Sequence, residues 1–245
     1  AHPDFANPAF AAAAAAAPEL VWGLTMATVR NLAEEHRRMR EGGWQSSAGT
    51  TLHGKTLGLL GLGRSGKIIN GYAKFFGMEV IAWSQNLTSK AAAAVGARRV
   101  EKEALFREAD VISIHLVLSE RTQGFVAGRG VALKKPSAYL INTSRGLIVD
   151  EAALIAGLKA GQIAGAGLDV YDVEPLPSDH PLRSLPNVTL SPHLGYVTRE
   201  LLAAVYSDAV EAVAAWLDGK PIRIANREAL AERSAAGHDG IAGHA

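Results

Sequence analysis

Two spacings of apolar residues divide the chain. From Pro18 to about Trp44 they return at helical intervals: Leu20, Val21, Leu24, Val29, Leu32 and His36 fall near one face, and Glu34, Glu35, Arg37, Arg38 and Arg40 supply a wet one. This predicts one long helix, ended by Gly42-Gly43. From Thr51 onward, short apolar runs alternate with amphipathic stretches. Runs at 56–60, 79–83, 110–114, 138–142, 163–167 and 188–190 read as strands, with helices near 64–76, 88–94, 101–108, 126–133 and 150–160. A last strong helix covers roughly 198–217. Strands that are apolar throughout are buried on both faces, so the alternation predicts an α/β fold: a doubly wound parallel sheet with helices on both sides. The polar tail after Asn226, with Gly237, Gly240 and Gly243, is expected to be mobile.

Composition narrows the classes. A chain of 245 residues can bury a substantial core. A formal net charge of +1 gives no field that would draw nucleic acid or a membrane surface. The absence of cysteine removes disulfides, thiolate metal sites and cysteine nucleophiles, and fits a cytoplasmic protein. Residues 10–17, FAAAAAAA, resemble the apolar core of a signal peptide, but no basic residue precedes them and they meet Pro18-Glu19 at once. No export signal is expected on those grounds. No uninterrupted apolar stretch reaches the length of a membrane span.

The first chemical signal is Gly61-Leu62-Gly63-Arg64-Ser65-Gly66, between a strand and a helix. In that context Gly61 permits the tight turn, Gly63 admits a pyrophosphate against the backbone, and Gly66 lets helix and strand pack closely. The first turn of the helix, with Arg64 and Ser65, offers free N–H groups to the anion. This is a dinucleotide-binding (Rossmann) pattern. An acidic residue usually ends the second strand and binds the adenosine ribose. Here Ser84 follows Trp83, with no Asp or Glu there and no Arg or Lys before Lys90. The choice between NAD and NADP stays open. There is no GxxxxGK[ST], so P-loop hydrolysis is not expected, and no tyrosine is followed by lysine four positions on, which removes the Tyr/Lys pair of short-chain dehydrogenases.

The second signal is three segments that each follow a candidate strand: INTSRG at 141–146, GLDVYDVEP at 167–175 and SPHLGY at 191–196. Ligands of open parallel sheets bind at the carboxyl ends of strands, so Arg145, Glu174 and His193 can meet in one cleft. Taking a hydride from an alcohol carbon requires loss of the hydroxyl proton, and histidine exchanges protons near neutral pH. A carboxylate on its other nitrogen would orient the ring and stabilise the imidazolium. A guanidinium would grip a substrate carboxylate with two parallel bonds. Each residue has a plainer alternative. His193 can be a loop residue, Arg145 can pair with Asp150 on the surface, and Glu174 before Pro175 can serve a turn. Behind a dinucleotide turn, the three together favour the site.

From about Pro18 to about Asn226 these segments, together with HGKTLGLLGLGRSG (53–66) and HLVLSERT (115–122), resemble the D-isomer-specific 2-hydroxyacid dehydrogenases. The resemblance implies an oxidoreductase that moves a hydride between NAD or NADP and a small D-2-hydroxy or 2-keto acid. It implies Arg145 and Glu174 as the catalytic arginine and acid, and His193 as the proton donor. Asp169 matches the residue near the nicotinamide amide. Leu116, Val117, Thr122, Thr143 and Gly195 match cofactor positions, and His115 a pocket wall rather than a second acid. It also implies a homodimer through the cofactor domain, with the 18–45 helix in the contact; no metal, nucleic-acid or membrane partner is expected.

Family members build a substrate domain mainly from N-terminal sequence, whereas this chain begins almost at the cofactor domain. The expected division is therefore residues 1–17 as a remnant or linker, 18–205 as the dinucleotide-binding domain, and 206–245 as a C-terminal helix and flexible tail. About a hundred residues of substrate domain are expected to be missing, leaving dinucleotide binding but weak turnover. Two other functions stay open: a dinucleotide-sensing protein like the corepressors of this fold, and an inactive dinucleotide-binding fragment.

Overall fold

All six apolar runs become strands, and the computed structural model, which describes residues 8–226 and residue 228, adds a seventh. The strands are β1 (Thr56–Leu60), β2 (Glu79–Trp83), β3 (Arg98–Arg99), β4 (Val111–Ile114), β5 (Tyr139–Asn142), β6 (Gly165–Leu168) and β7 (Val188–Leu190). They form one sheet in the order β3-β2-β1-β4-β5-β6-β7. Every pairing is parallel. The chain starts in the middle at β1, runs outward to β3, then returns to place β4 on the other side of β1. That reversal opens a crevice above the β1 and β4 ends, where such sheets bind ligands.

The side-chain period of two sorts the core. Leu57 and Leu59 of β1 face one side with Val80, Val111 and Ile141, against Val21, Leu24 and Val29 of α1 (Pro8–Val29) and Ile69 and Ala73 of α3 (Arg64–Phe75). Leu60 faces the other with Ile112, Ile114 and Leu140. These meet Leu105 and Phe106 of α5 (Lys102–Glu108), Val131 of α6 (Gly128–Ala132), and Leu154 and Leu158 of α7 (Glu151–Lys159). Each such side chain contributes roughly 1.5–3 kcal/mol by leaving water. At the opposite rim from the crevice, Asp110 joins three strand starts: its Oδ2 accepts from the Thr56 N–H at 2.8 Å, and its Oδ1 meets the Lys135 ammonium at 2.8 Å.

Three expectations need correction. The helix expected from Pro18 to Trp44 is two helices, α1 and α2 (Leu32–Arg40), separated at Asn31, whose φ of 53° is left-handed. Asparagine tolerates that conformation, and its side chain donates to Ser47 Oγ at 3.0 Å. The buried stripe ends at Val29. No residue of α2 is buried, and its charges pair among themselves, Arg37 with Glu34 and Glu41. Nor does that helix start at Pro18: residues 8–17 belong to the same helix as residues 18–29, with Pro18 inside it. Lastly, β6 lies one to two residues later than its apolar run. Its small residues reflect the approach of α1, since a Cβ at Gly167 would come within 2.5 Å of Thr28 Oγ1.

Compact packing divides the chain at Leu201/Leu202. The second unit holds most of α8 (Arg199–Leu217) and the residues after it, where Arg223 reaches Asp208 and Glu211 at 2.7 and 2.8 Å. The glycine-bearing tail predicted to be mobile lies outside the described residues. Among the described residues, no helix is long and apolar enough to cross a membrane.

Candidate active site

The glycine turn caps β1. Gly61 has φ of 101°, a conformation that L side chains rarely adopt, and a Cβ there would lie 2.5 Å from the His115 carbonyl oxygen. Gly66, in the first turn of α3, packs so closely that a Cβ would meet the Gly61 carbonyl oxygen at 2.3 Å. Gly63 differs from both. It is the N-cap of α3 with no side-chain cap, and a Cβ there would meet nothing within 4 Å. The fold therefore does not require glycine at 63, whereas an anion resting on the N-terminus of α3 does. Arg64 is exposed and Ser65 half-buried beside it. This is the cradle that a dinucleotide pyrophosphate fits.

The walls come from neighbouring strand ends. After β2, residues 84–87 form a turn, with the Leu87 N–H on the Ser84 carbonyl at 3.1 Å. After β4, the Thr122 hydroxyl donates to the Val117 carbonyl at 2.7 Å and accepts the Ser119 N–H at 2.8 Å. Thr122 thus braces its loop, leaving Val117 exposed and Leu116 and Thr143 half-buried. His115 Nε2 lies 2.9 Å from the Ser113 hydroxyl. Burial lowers its pKa to about 4, so the ring is neutral at physiological pH, as suits a wall.

Above β5, β6 and β7 the three predicted chemical residues come together. Arg145 directly precedes a 3-10 turn, Gly146–Ile148. Its carbonyl accepts from Asn142 Nδ2 at 2.9 Å, and its exposed guanidinium donates to the Ser144 carbonyl. Glu174 Oε2 lies 2.6 Å from His193 Nδ1, and Glu174 Oε1 accepts the Tyr171 N–H at 3.0 Å. Burial opposes ionisation of Glu174, but the bonds from His193 and Tyr171, and the nearby charges of His193 and Arg145, outweigh it and hold its pKa below the usual value. With Nδ1 engaged, the imidazole is left with Nε2 for a reacting group. His193 itself sits at a left-handed φ of 56°, with its ring edge-on to Tyr196 at 5.6 Å.

What holds that backbone is Asp169, fully buried, whose two oxygens accept the N–H groups of Leu194 (2.8 Å) and Gly195 (3.0 Å).

A family model described as D-isomer specific 2-hydroxyacid dehydrogenase, NAD binding domain, matches residues 22–195. The chain belongs to this family. A glyoxylate reductase of Aeropyrum pernix is 38% identical over 228 residues, covering 89% of this chain and 68% of that protein. A solved structure of a putative D-3-phosphoglycerate dehydrogenase from Ralstonia solanacearum superposes with a TM-score of 0.84 at 33% identity, over 89% of this chain and 67% of that one. An acyclic imino acid reductase solved with NADPH and D-Arg gives 0.72 at 29% identity, over 86% and 67%. The 2-hydroxyacid dehydrogenase fold accordingly serves NAD or NADP, and the glycine cradle of this chain fits either.

Sequence reasoning missed Tyr171. Its hydroxyl donates toward the Ser191 carbonyl at 2.8 Å and the Leu168 carbonyl at 3.1 Å, joining the segments that carry Glu174 and His193. Burial, the largest influence, raises its pKa to about 12, so the phenol remains a donor. The signal was a large aromatic in a polar loop, which alone does not distinguish a brace from a surface residue. Also missed was the direction of Asp169, whose carboxylate faces the backbone of the histidine loop.

Proposed function

We propose that this chain is the cofactor-binding and proton-transferring part of an NAD(P)-dependent D-2-hydroxyacid dehydrogenase. The observation that carries the proposal is the 2.6 Å contact of Glu174 with His193 on the same sheet edge as the glycine cradle. When bound, the nicotinamide supplies or accepts the hydride. His193 Nε2 gives a proton to the carbonyl oxygen of a 2-keto acid, or takes one from the hydroxyl of the D-2-hydroxy acid. Glu174, kept ionised, fixes the ring through Nδ1 and stabilises the imidazolium. Arg145 grips the substrate carboxylate and polarises the carbonyl beside it. Gly61, Gly63, Arg64, Ser65 and Gly66 hold the pyrophosphate. Ser84 lies toward the adenosine, and Leu116, Val117, Thr122, Thr143, Asp169 and Gly195 frame the nicotinamide half.

A homodimer through this part of the chain would cover the exposed Leu32, Met39 and Trp44 of the 18–45 segment. Light scattering that finds only monomer at high concentration removes the dimer. A cytoplasmic location accords with the cysteine-free composition.

The test is His193→Ala, read by reduction of glyoxylate and hydroxypyruvate and by fluorescence titration of NADH and NADPH. Turnover should fall by roughly 10²–10⁴-fold with cofactor affinity kept. Unchanged turnover overturns the assignment. Binding of dinucleotide with no turnover in either protein is the outcome expected of a sensor or of an inactive dinucleotide-binding fragment.

A further inference from the structure

A second imidazole–carboxylate pair joins the segments that carry Arg145 and Glu174. His180 Nε2 lies 3.0 Å from Glu151 Oε1, with the two side chains only 17% and 18% exposed. His180 Nδ1 accepts the Leu182 N–H at 3.4 Å, capping the 3-10 turn Pro181–Ser184. A ring nitrogen that accepts carries no proton, so the neutral imidazole keeps its hydrogen on Nε2 and donates it to Glu151. Glu151 opens α7, just past the turn that follows Arg145. Its other oxygen accepts the Asp172 N–H at 3.4 Å. One carboxylate thus ties both ends of the segment 172–180, and Glu174 lies inside it. The same segments meet again at Gly146, where a Cβ would overlap the Tyr171 carbonyl and crowd the Asp172 nitrogen. Tyr171 in turn gives its N–H to Glu174 Oε1. A seam therefore runs between the Arg145 turn and the Glu174 loop, pinned by the Gly146 contact and by the bonds of Glu151.

Resting on the proton-transfer reading above, we propose that His180 is a positioning residue: its hydrogen bond to Glu151 keeps the 171–182 segment closed on the Arg145 turn, and so keeps the Glu174 carboxylate on His193 Nδ1. The bond works against charge. Burial, then the charges of Glu151 and Asp150, raise the pKa of Asp172, so three carboxylates crowd this seam. Without the His180 hydrogen, Glu151 is left partly buried with an unpaired oxygen beside Asp172. Repulsion between the two, and the pull of water on the unpaired oxygen, both part the seam. Glu174 then moves with its loop. A shift of about 1 Å in a reacting or orienting group is enough to slow a reaction severely.

Two substitutions separate the two roles of the ring. His180→Gln places an amide nitrogen where Nε2 stands, which keeps the donor to Glu151 and removes the cap. His180→Asn places an oxygen where Nδ1 stands, which keeps the cap and removes the donor. In the full chain, NMR follows the Nδ1–H of His193, the proton bonded to Glu174, beside kcat for glyoxylate reduction and the Kd of NADH and NADPH. In His180→Asn that proton should exchange with water about tenfold or more faster and kcat should fall about tenfold, with both Kd values kept. His180→Gln should stay within about twofold of the wild type in all of them. A His180→Asn protein with the wild-type His193 signal, or a His180→Gln protein changed as much as His180→Asn, overturns the inference. A wild-type chain without turnover sinks the dehydrogenase reading alone, because the His193 signal still reports whether His180 holds Glu174 in place.

Discussion

The carboxylate of Asp169 receives the backbone N–H of Gly195, two residues past the histidine it serves, at 3.0 Å. The other oxygen takes Leu194 at 2.8 Å, so one buried acid satisfies both amides that follow His193. This makes Asp169 a positioning residue. Asp169→Asn turns one acceptor into a donor facing an N–H, at a cost of about 1–3 kcal/mol for the unpaired groups. The histidine loop should loosen, and kcat for keto-acid reduction should fall about tenfold or more, with little change in the Kd of the cofactor. If Asp169 acts chiefly on the nicotinamide, the Kd rises instead.

Gly63 and Gly66 separate binding from folding. Gly66→Ala drives a methyl into the Gly61 carbonyl at 2.3 Å and should destabilise the chain by several kcal/mol, on the order of other overpacked sites. Gly63→Ala meets no protein atom within 4 Å, so its stability should fall only by the exchange of an N-cap glycine for alanine, about 1 kcal/mol or less. Its dinucleotide affinity should nevertheless drop, because the methyl occupies the space an anion needs at the α3 N-terminus. Calorimetric titration beside thermal melts checks both. A Gly63→Ala protein with undiminished affinity would mean that the pyrophosphate lies elsewhere.

Glu174→Gln keeps the shape of the side chain and removes its charge. Turnover should fall about 10–100-fold, because the imidazolium loses its stabilising partner. The pH dependence of stability should change as well. The pKa of Glu174 is lowered in the fold from 4.5, so its contribution is present above about that pH and is lost as pH falls through the folded value. Denaturant titrations from pH 7 to pH 3 should show a shallower decline in Glu174→Gln than in the wild type. Equal slopes would show that the carboxylate gains nothing from its partners.

How much of this was legible beforehand depends on where the signal lay. Strands buried on both faces wrote themselves as apolar runs, so β1, β2, β4 and β5 were found nearly to the residue. The edge strand β3 was invisible, since two arginines carry no apolar pattern and only pairing with Ile81 and Ala82 makes them a strand. The break at Asn31 was hidden because the helical period continues through it; only burial, which stops at Val29, reveals the change. That Arg145, Glu174 and His193 follow neighbouring strand ends was readable from the sequence. The supports were not. Tyr171 and the amide-holding geometry of Asp169 depend on contacts across segments about twenty or more residues apart.

Lys134 is the one buried lysine among the described residues, and its ammonium has no hydrogen-bond partner. It follows α6, with Nζ 6.0 Å from the Phe106 ring centre. Burial lowers its pKa from 10.5 to about 7. Between those values the unfolded chain holds a proton that the folded chain does not, so stability from this group rises with pH across that window. Below about pH 7 the folded chain must carry the buried charge, and the full penalty applies, on the order of 3–5 kcal/mol. Lys134→Met, of similar length and apolar, should therefore stabilise the protein by a few kcal/mol at pH 6. The gain should shrink toward pH 10, where the native lysine is neutral and the unfolded one is losing its proton. Chemical denaturation of both proteins at pH 6 and pH 10 reads the difference directly; a gain that is the same at both would show that packing, not charge, is what the substitution relieves.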